Sequence, residues 1–167
     1  MSISLLPKAI YPALTAISLQ ELSKKGIRLL MLDFDNTIVP YTTNVPTKEM
    51  AQWLASALDS QVQICVVSNS KRDRVVKFCR KYGIPCVTYA RKPFPRGIHA
   101  AMRQFGMSSQ SCALAGDQIY TDVLGANGAG VWSILVPAIH NHNIWLRLRH
   151  LLELPWIFCA RKRSVKL

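Results

Sequence analysis

The sequence predicts a parallel, doubly wound α/β sheet of about five strands in a single domain. Three observations carry that expectation. Short apolar runs alternate with segments of helical periodicity along most of the 167 residues. Half of the residues are hydrophobic, enough for a sizeable core. Several apolar runs also stop abruptly at polar residues: Leu32 gives way to Asp33, Val67 to Ser68, and Ala115 to Gly116-Asp117. Runs of this length with turn signals at their ends read as buried strands.

Taken in order, residues 1–14 mix Leu5, Leu6, Ile10, Tyr11 and Leu14 with two prolines. Ser18 to Lys25 reads as a short helix closed by Gly26, with lysines in its last turn. The first strand spans about 28–34. Thr47 caps a helix reaching about residue 60, in which Met50, Trp53, Leu54 and Leu58 recur at helical spacing. The second strand is 62–67. A basic helix follows over 71–82 and stops at Gly83. The remaining elements are a strand at 84–89, a helix at 95–106, a strand at 111–115, a short helix at 122–127 and a strand at 131–136. Strands separated by helices imply right-handed crossovers with helices on both faces. No repeat or linker divides the chain, so residues 1–167 are expected to form one domain with its core at about 15–140.

Twenty-one Lys and Arg face nine Asp and Glu, a net charge of +12. That surplus favours anionic partners: nucleic acid, an anionic membrane or phosphorylated substrates. The cysteines Cys65, Cys79, Cys86, Cys112 and Cys159 form no CxxC pair and match no zinc spacing. Cys65 and Cys112 lie inside apolar runs and read as buried hydrophobes, and the scattered set reads as a reducing compartment. No apolar run approaches a membrane span, and residues 1–14 lack a secretory or transit layout. The mature chain is expected to start near Met1 and to be cytoplasmic.

The polar strand ends hold the chemistry. The first strand supplies Asp33, Asp35 and Thr37, the second Ser68 and Asn69, and the fourth Asp117 with Asp122 five residues on. Lys92-Pro93 follows the third. In a parallel sheet these ends share one edge, where open α/β folds bind ligands. Crowded carboxylates repel one another, and a Mg²⁺ ion relieves the repulsion. One Asp can attack phosphorus while a second carboxyl moves protons. Lys and Ser donors suit the phosphoryl oxygens. Asp122 alone is also compatible with a helix cap. The glycines at 125, 128 and 130 lack a P-loop lysine, and His140 to Asn143 lacks metal-ligand spacing.

The ordered set DxDNT, hydrophobic-SN, Lys-Pro and GDxxxxD resembles the four motifs of the haloacid-dehalogenase-like (HAD) phosphatases. DFDNTIVP and GDQIYTDVLGAN are similar to the capless subclass IIIA, the YqeG-type branch that includes phosphatidylglycerophosphate phosphatases. The likeness runs from about Leu6 to Pro137. It implies Asp33 as nucleophile, and Asp35 as general acid/base with its carbonyl on the metal. It implies Ser68 and Lys92 on the phosphoryl group, with Thr37 and Asn69 in support. It also implies Mg²⁺ held by Asp33, Asp35, Asp117 and Asp122, and a lipid phosphomonoester as substrate.

The short spacings from Thr37 to Ser68 and from Asn69 to Lys92 leave no room for a cap, which suits a substrate that covers the site itself. At the C-terminal end, Ile144, Trp145, Leu148, Leu151 and Leu152 recur at helical spacing, followed by Arg161-Lys162-Arg163 and Lys166. Residues 141–167, with 1–14, therefore read either as interfacial segments on anionic lipid or as packing on the core. The first alternative places the protein peripherally on the inner face of a membrane. Lys71, Arg72 and Arg74 suit either a second phosphate or a solvated helix face. Rival readings are a phosphatase for phosphoprotein, nucleic-acid ends or sugar phosphates, and a non-catalytic basic nucleic-acid-binding module. The intact Asp33/Asp35 pair argues against the last, so no dedicated nucleic-acid partner is expected. Oligomeric state is left open.

Overall fold

Successive side chains of the buried central strands point to opposite faces and build a two-faced core. The computed structural model describes residues 4–70, 73–139 and 156. Its six strands are β1 (Ala9–Ile10), β2 (Leu29–Leu32), β3 (Gln63–Val67), β4 (Cys86–Val87), β5 (Cys112–Gly116) and β6 (Trp132–Leu135). All neighbours pair in parallel, in the order β1-β6-β5-β2-β3-β4. β2 sits at the centre, between β3 and β5, and every one of its residues is buried.

The helices are α1 (Leu19–Lys24), α2 (Lys48–Leu58), α3 (Asp73–Tyr82), α4 (Arg96–Gln104) and α5 (Leu124–Ala129). Leu30, Leu32, Ile64, Val66, Ala113 and Ala115 share one core with side chains of α1, α2 and α3. Leu29, Met31, Cys65, Val67, Cys112 and Leu114 share the other with α4 and α5. The period-two alternation of a strand thus divides between two helical layers. The caps follow the sequence: Ser18 accepts from the Glu21 amide and Thr47 from the Met50 amide. Phe34 reaches the α3 side of the core, its ring edge-on to Phe78 at 5.1 Å.

The expected strands and helices are all present, with ends that differ by a few residues. The strand expected at 84–89 pairs only at Cys86–Val87, because its last residues turn away toward the site. The helix expected from Asp122 begins earlier, as a five-residue π-helical turn, Ile119–Val123, that runs into α5. The fold has one strand more than expected. Within residues 1–14, Ala9 and Ile10 pair with Ile134 and Leu135, while Tyr11 and Leu14 are buried in the core. The expectations for Lys71, Arg72 and residues 141–155 and 157–167 lie outside the described residues. Among the described residues no helix is long and apolar enough to cross a membrane.

Asn127 holds the added strand. Its amide donates to the carbonyls of Ser4 at 2.7 Å and Leu6 at 3.0 Å, and its oxygen accepts from the Ser133 hydroxyl at 2.8 Å. The Ser133 hydroxyl in turn accepts from the Lys8 amide. Replacing Asn127 by Ala strands these partly buried carbonyls and should cost about 1–3 kcal/mol in urea unfolding. Amide exchange at Lys8 and Tyr11, bonded to Ser133 and Leu135, should accelerate ahead of exchange in β2.

Candidate active site

The carboxyl ends of β2, β3, β4 and β5 bring the polar residues together at one edge. Asp33 directly follows β2, and its own amide donates to the Ala115 carbonyl at 2.9 Å. The chain then reverses through Asn36, which takes a left-handed φ of 62°. Asn adopts that conformation more readily than most residues. The Asn36 amide donates to the Val39 carbonyl at 2.8 Å, and its side-chain oxygen accepts from the Tyr41 amide at 3.1 Å. This turn places Thr37 back over Asp33: the Thr37 hydroxyl lies 3.4 Å from Asp33 Oδ2 and 3.3 Å from Asp117 Oδ1. A single hydroxyl proton serves one carboxylate at a time.

Lys92 is the hub. Its ammonium donates to Asp33 Oδ1 and to Asp122 Oδ1, both at 2.7 Å, and the side chain is almost fully buried. Asn69 fixes the lysine's backbone from both sides, donating to the Lys92 carbonyl at 2.9 Å and accepting from the Lys92 amide at 2.7 Å. Asn69 thus fastens the loop that carries Lys92. Ser68 is buried beside it, its hydroxyl accepting from the Ser70 amide at 3.0 Å. Tyr89 and Arg91, either side of Ala90, have φ values of 53° and 58°. Such non-glycine left-handed residues are strained and gather at functional sites.

Two glycines make room for this arrangement. A Cβ on Gly97 would lie 2.5 Å from the Ala90 Cα, so α4 presses on the backbone two residues before Lys92. A Cβ on Gly116 would overlap the Asp122 carboxyl. Asp122 also accepts from the Gln118 amide at 3.1 Å, so the π-helical turn carries it inward rather than serving merely as a helix start.

Carboxylate oxygens of Asp33, Asp117 and Asp122, all buried, lie within 4.8 Å of one another. Three carboxylates and one ammonium leave two negative charges among buried groups. Burial raises the Asp33 carboxyl to about 6, with Asp122 adding to the rise and Lys92 opposing it. Asp117 is raised well above the ordinary range, by burial first and then by the two neighbouring carboxylates. For Lys92, burial favours the neutral form, but Asp122 and Asp33 outweigh it and hold the ammonium charged. An all-oxygen donor set with this deficit fits a hard divalent cation.

The Asp35 side chain is held apart from that cluster. Its carboxylate pairs with Arg74 at 3.1 Å. The Arg74 guanidinium also donates to the carbonyls of Pro40, Tyr41 and Thr43. It lies 5.2 Å from the Phe34 ring centroid. Arg74 therefore clamps the loop after β2 and orients Asp35, a role the sequence did not reveal. Its partners lie more than thirty positions away, and no local pattern signals that. Among the described residues, the segments leaving this edge carry no inserted domain.

The parallel α/β core and a cluster of polar strand ends at one edge are what the four-motif resemblance implies for the fold. The family model for mitochondrial PGP phosphatases matches residues 2–138. The Bacillus subtilis (strain 168) protein described as "Probable phosphatase YqeG" is 32% identical over 120 residues, 72% of this chain and 70% of its own length. Two solved structures share the fold. The cobalt-bound deoxy-D-mannose-octulosonate 8-phosphate phosphatase (YrbI) from Haemophilus influenzae has a TM-score of 0.54 at 14% identity, covering 81% of this chain and 92% of its own. The 3-deoxy-D-manno-octulosonate 8-phosphate phosphatase from Moraxella catarrhalis, in complex with magnesium, phosphate and KDO, has a TM-score of 0.53 at 14% identity, covering 82% and 92%. The chain belongs to the PGP phosphatase family, and its likeness to the YqeG protein makes it of the YqeG type.

The raised carboxyls set a pH signature. A carboxyl raised in the folded state stabilises below its unfolded pKa, and the contribution is lost as pH rises through the folded value, here about 6 for Asp33. A divalent cation replaces those protons. Mg²⁺ should therefore raise Tm more at about pH 7.5 than at about pH 5 in thermal scans of the full chain. An equal rise at both pH values would contradict the cluster as the binding site.

Proposed function

We propose that the protein is a Mg²⁺-dependent phosphomonoesterase that converts phosphatidylglycerophosphate to phosphatidylglycerol and phosphate. The Lys92 bridge between Asp33 and Asp122, beside Asp117, carries the reading, because it puts a buried, cation-balanced carboxylate where a phosphoryl group can arrive. Family membership and the absence of a cap among the described residues support the lipid.

Asp33, Asp117 and Asp122, with the Asp35 carbonyl, would hold the cation. When bound, it supplies charge neutralisation between the carboxylates and the phosphoryl oxygens. Lys92 holds Asp33 by one oxygen, so the carboxylate meets phosphorus in a fixed orientation. Asp33 attacks phosphorus, the P–O bond to the glycerol breaks, and the Asp35 carboxyl delivers its proton to the departing oxygen. The aspartyl-phosphate on Asp33 is then cleaved by a water that loses its proton to Asp35. Lys92 and the Ser68 hydroxyl donate to the phosphoryl oxygens as charge shifts among them. Arg74 keeps Asp35 aimed at the reacting oxygens through both steps.

Phosphate release from phosphatidylglycerophosphate in mixed micelles with Mg²⁺ tests this. Asp33→Asn should lower the rate by roughly three orders of magnitude or more with an unchanged circular dichroism spectrum. A wild-type enzyme that hydrolyses phosphoprotein or sugar phosphates well, and this lipid not at all, would overturn the substrate.

A further inference from the structure

The edge that holds the catalytic cluster also exposes apolar side chains. Tyr41 is 49% exposed, Val45 69%, Tyr89 56% and Phe94 70%. Tyr41 and Val45 stand on the loop between β2 and α2, and Tyr89 and Phe94 on the loop between β4 and α4. Both loops leave the carboxyl edge of the sheet, and Phe94 is two residues from Lys92. Val76, 38% exposed in the first turns of α3, adds to the same edge. Of the large exposed hydrophobics at positions 4–139, Leu58 alone lies elsewhere, at the far end of α2. Apolar groups grouped around a site mouth mark an interaction surface.

The charge on these loops selects the occupant. Residues 40–47 and 88–96 contain no Asp or Glu, while Arg91 and Arg96 are exposed beside Phe94. The chain as a whole carries +12. Ile139, the last residue described before position 156, donates its amide to the Asn36 carbonyl at 2.8 Å. Ile139 is thus fixed at this edge, and the sequence after it contains Trp145, Leu148 and Arg161-Lys162-Arg163.

We propose that Tyr41, Val45, Tyr89 and Phe94 form a docking rim that seats the open active site on an anionic phospholipid bilayer. This rests on the lipid reading above and deepens it. Apolar side chains enter the acyl boundary while Arg91 and Arg96 meet the headgroups, the division found in interfacial segments. The rim then sets Lys92 and Asp33 at headgroup depth, where a phosphomonoester reaches them without leaving the bilayer.

The test uses the full chain with Val45→Ser and Phe94→Ser, and vesicles of phosphatidylcholine with or without phosphatidylglycerol. Wild type should float with the anionic vesicles, and the double variant should bind them roughly tenfold or more weakly. Turnover of vesicle-embedded phosphatidylglycerophosphate should fall in step. Turnover of water-soluble p-nitrophenyl phosphate should stay within about twofold, since Val45 and Phe94 touch no reacting group. A Phe94→Trp variant should keep wild-type flotation. Equal flotation of wild type and double variant overturns the rim, as does equal binding to neutral vesicles. A self-association abolished by the two substitutions, without vesicle affinity, assigns the rim to a second copy and also overturns it. Vesicle binding without hydrolysis of the lipid removes the substrate and leaves the rim standing. Lipid hydrolysis indifferent to the substitutions does the reverse.

Discussion

The ammonium of Lys92, buried between Asp33 and Asp122, is the interaction on which the rest of this structure depends. A charge taken out of water is costly unless paired, and truncating one partner of such a pair costs about 3–5 kcal/mol. Here the pairing reaches across the sheet, since Asp33 follows β2, Lys92 follows β4, and Asp122 follows β5. Holding three crossovers to one ammonium requires close packing beneath it. Gly97 lets α4 rest on Ala90, Gly116 leaves space for the Asp122 carboxyl, and Asn69 fastens the Lys92 backbone. The same constraint explains the chemistry. One cation among three carboxylates leaves a deficit that a divalent ion matches, and burial, with the neighbouring carboxylates adding to it, raises the Asp33 and Asp117 carboxyls.

Arg74 repeats the logic at smaller scale. It pairs with Asp35 while tying down the carbonyls of Pro40, Tyr41 and Thr43. The loop after β2 thus holds Asp33, Asp35 and Tyr41, under one guanidinium. Its stacking near Phe34 anchors that loop to the α3 side of the core. Chemistry at the sheet edge and the apolar rim above it are therefore joined through the same short segment.

Much of the site was legible because a parallel sheet turns separate sequence motifs into one edge. Apolar runs ending in Asp33, Ser68 and Asp117 announced both the strands and the place where they end. Helix starts were legible from Ser18 and Thr47, whose capping bonds are local. What escaped was set by distant partners. β1 is two residues long between prolines, and only its pairing with Ile134 and Leu135 makes it a strand. Arg74 looked like part of a basic helix face because its partners precede it by thirty positions or more. The resemblance implied a supporting role for Asn69, but not that its side chain holds the Lys92 backbone from the neighbouring loop. The π-helical turn at Ile119–Val123 has no compositional mark; it follows from bringing Asp122 inward to Lys92.

The carboxylates of Asp33, Asp117 and Asp122 would meet around one divalent ion, with Asp35 contributing its backbone alone. Calorimetric titration of Mg²⁺ into the full-length protein addresses this directly. One binding event with proton release is expected for wild type, its loss in Asp117→Asn, and its retention in Asp35→Asn. Wild-type affinity in Asp117→Asn, or an equal loss in Asp35→Asn, would contradict it.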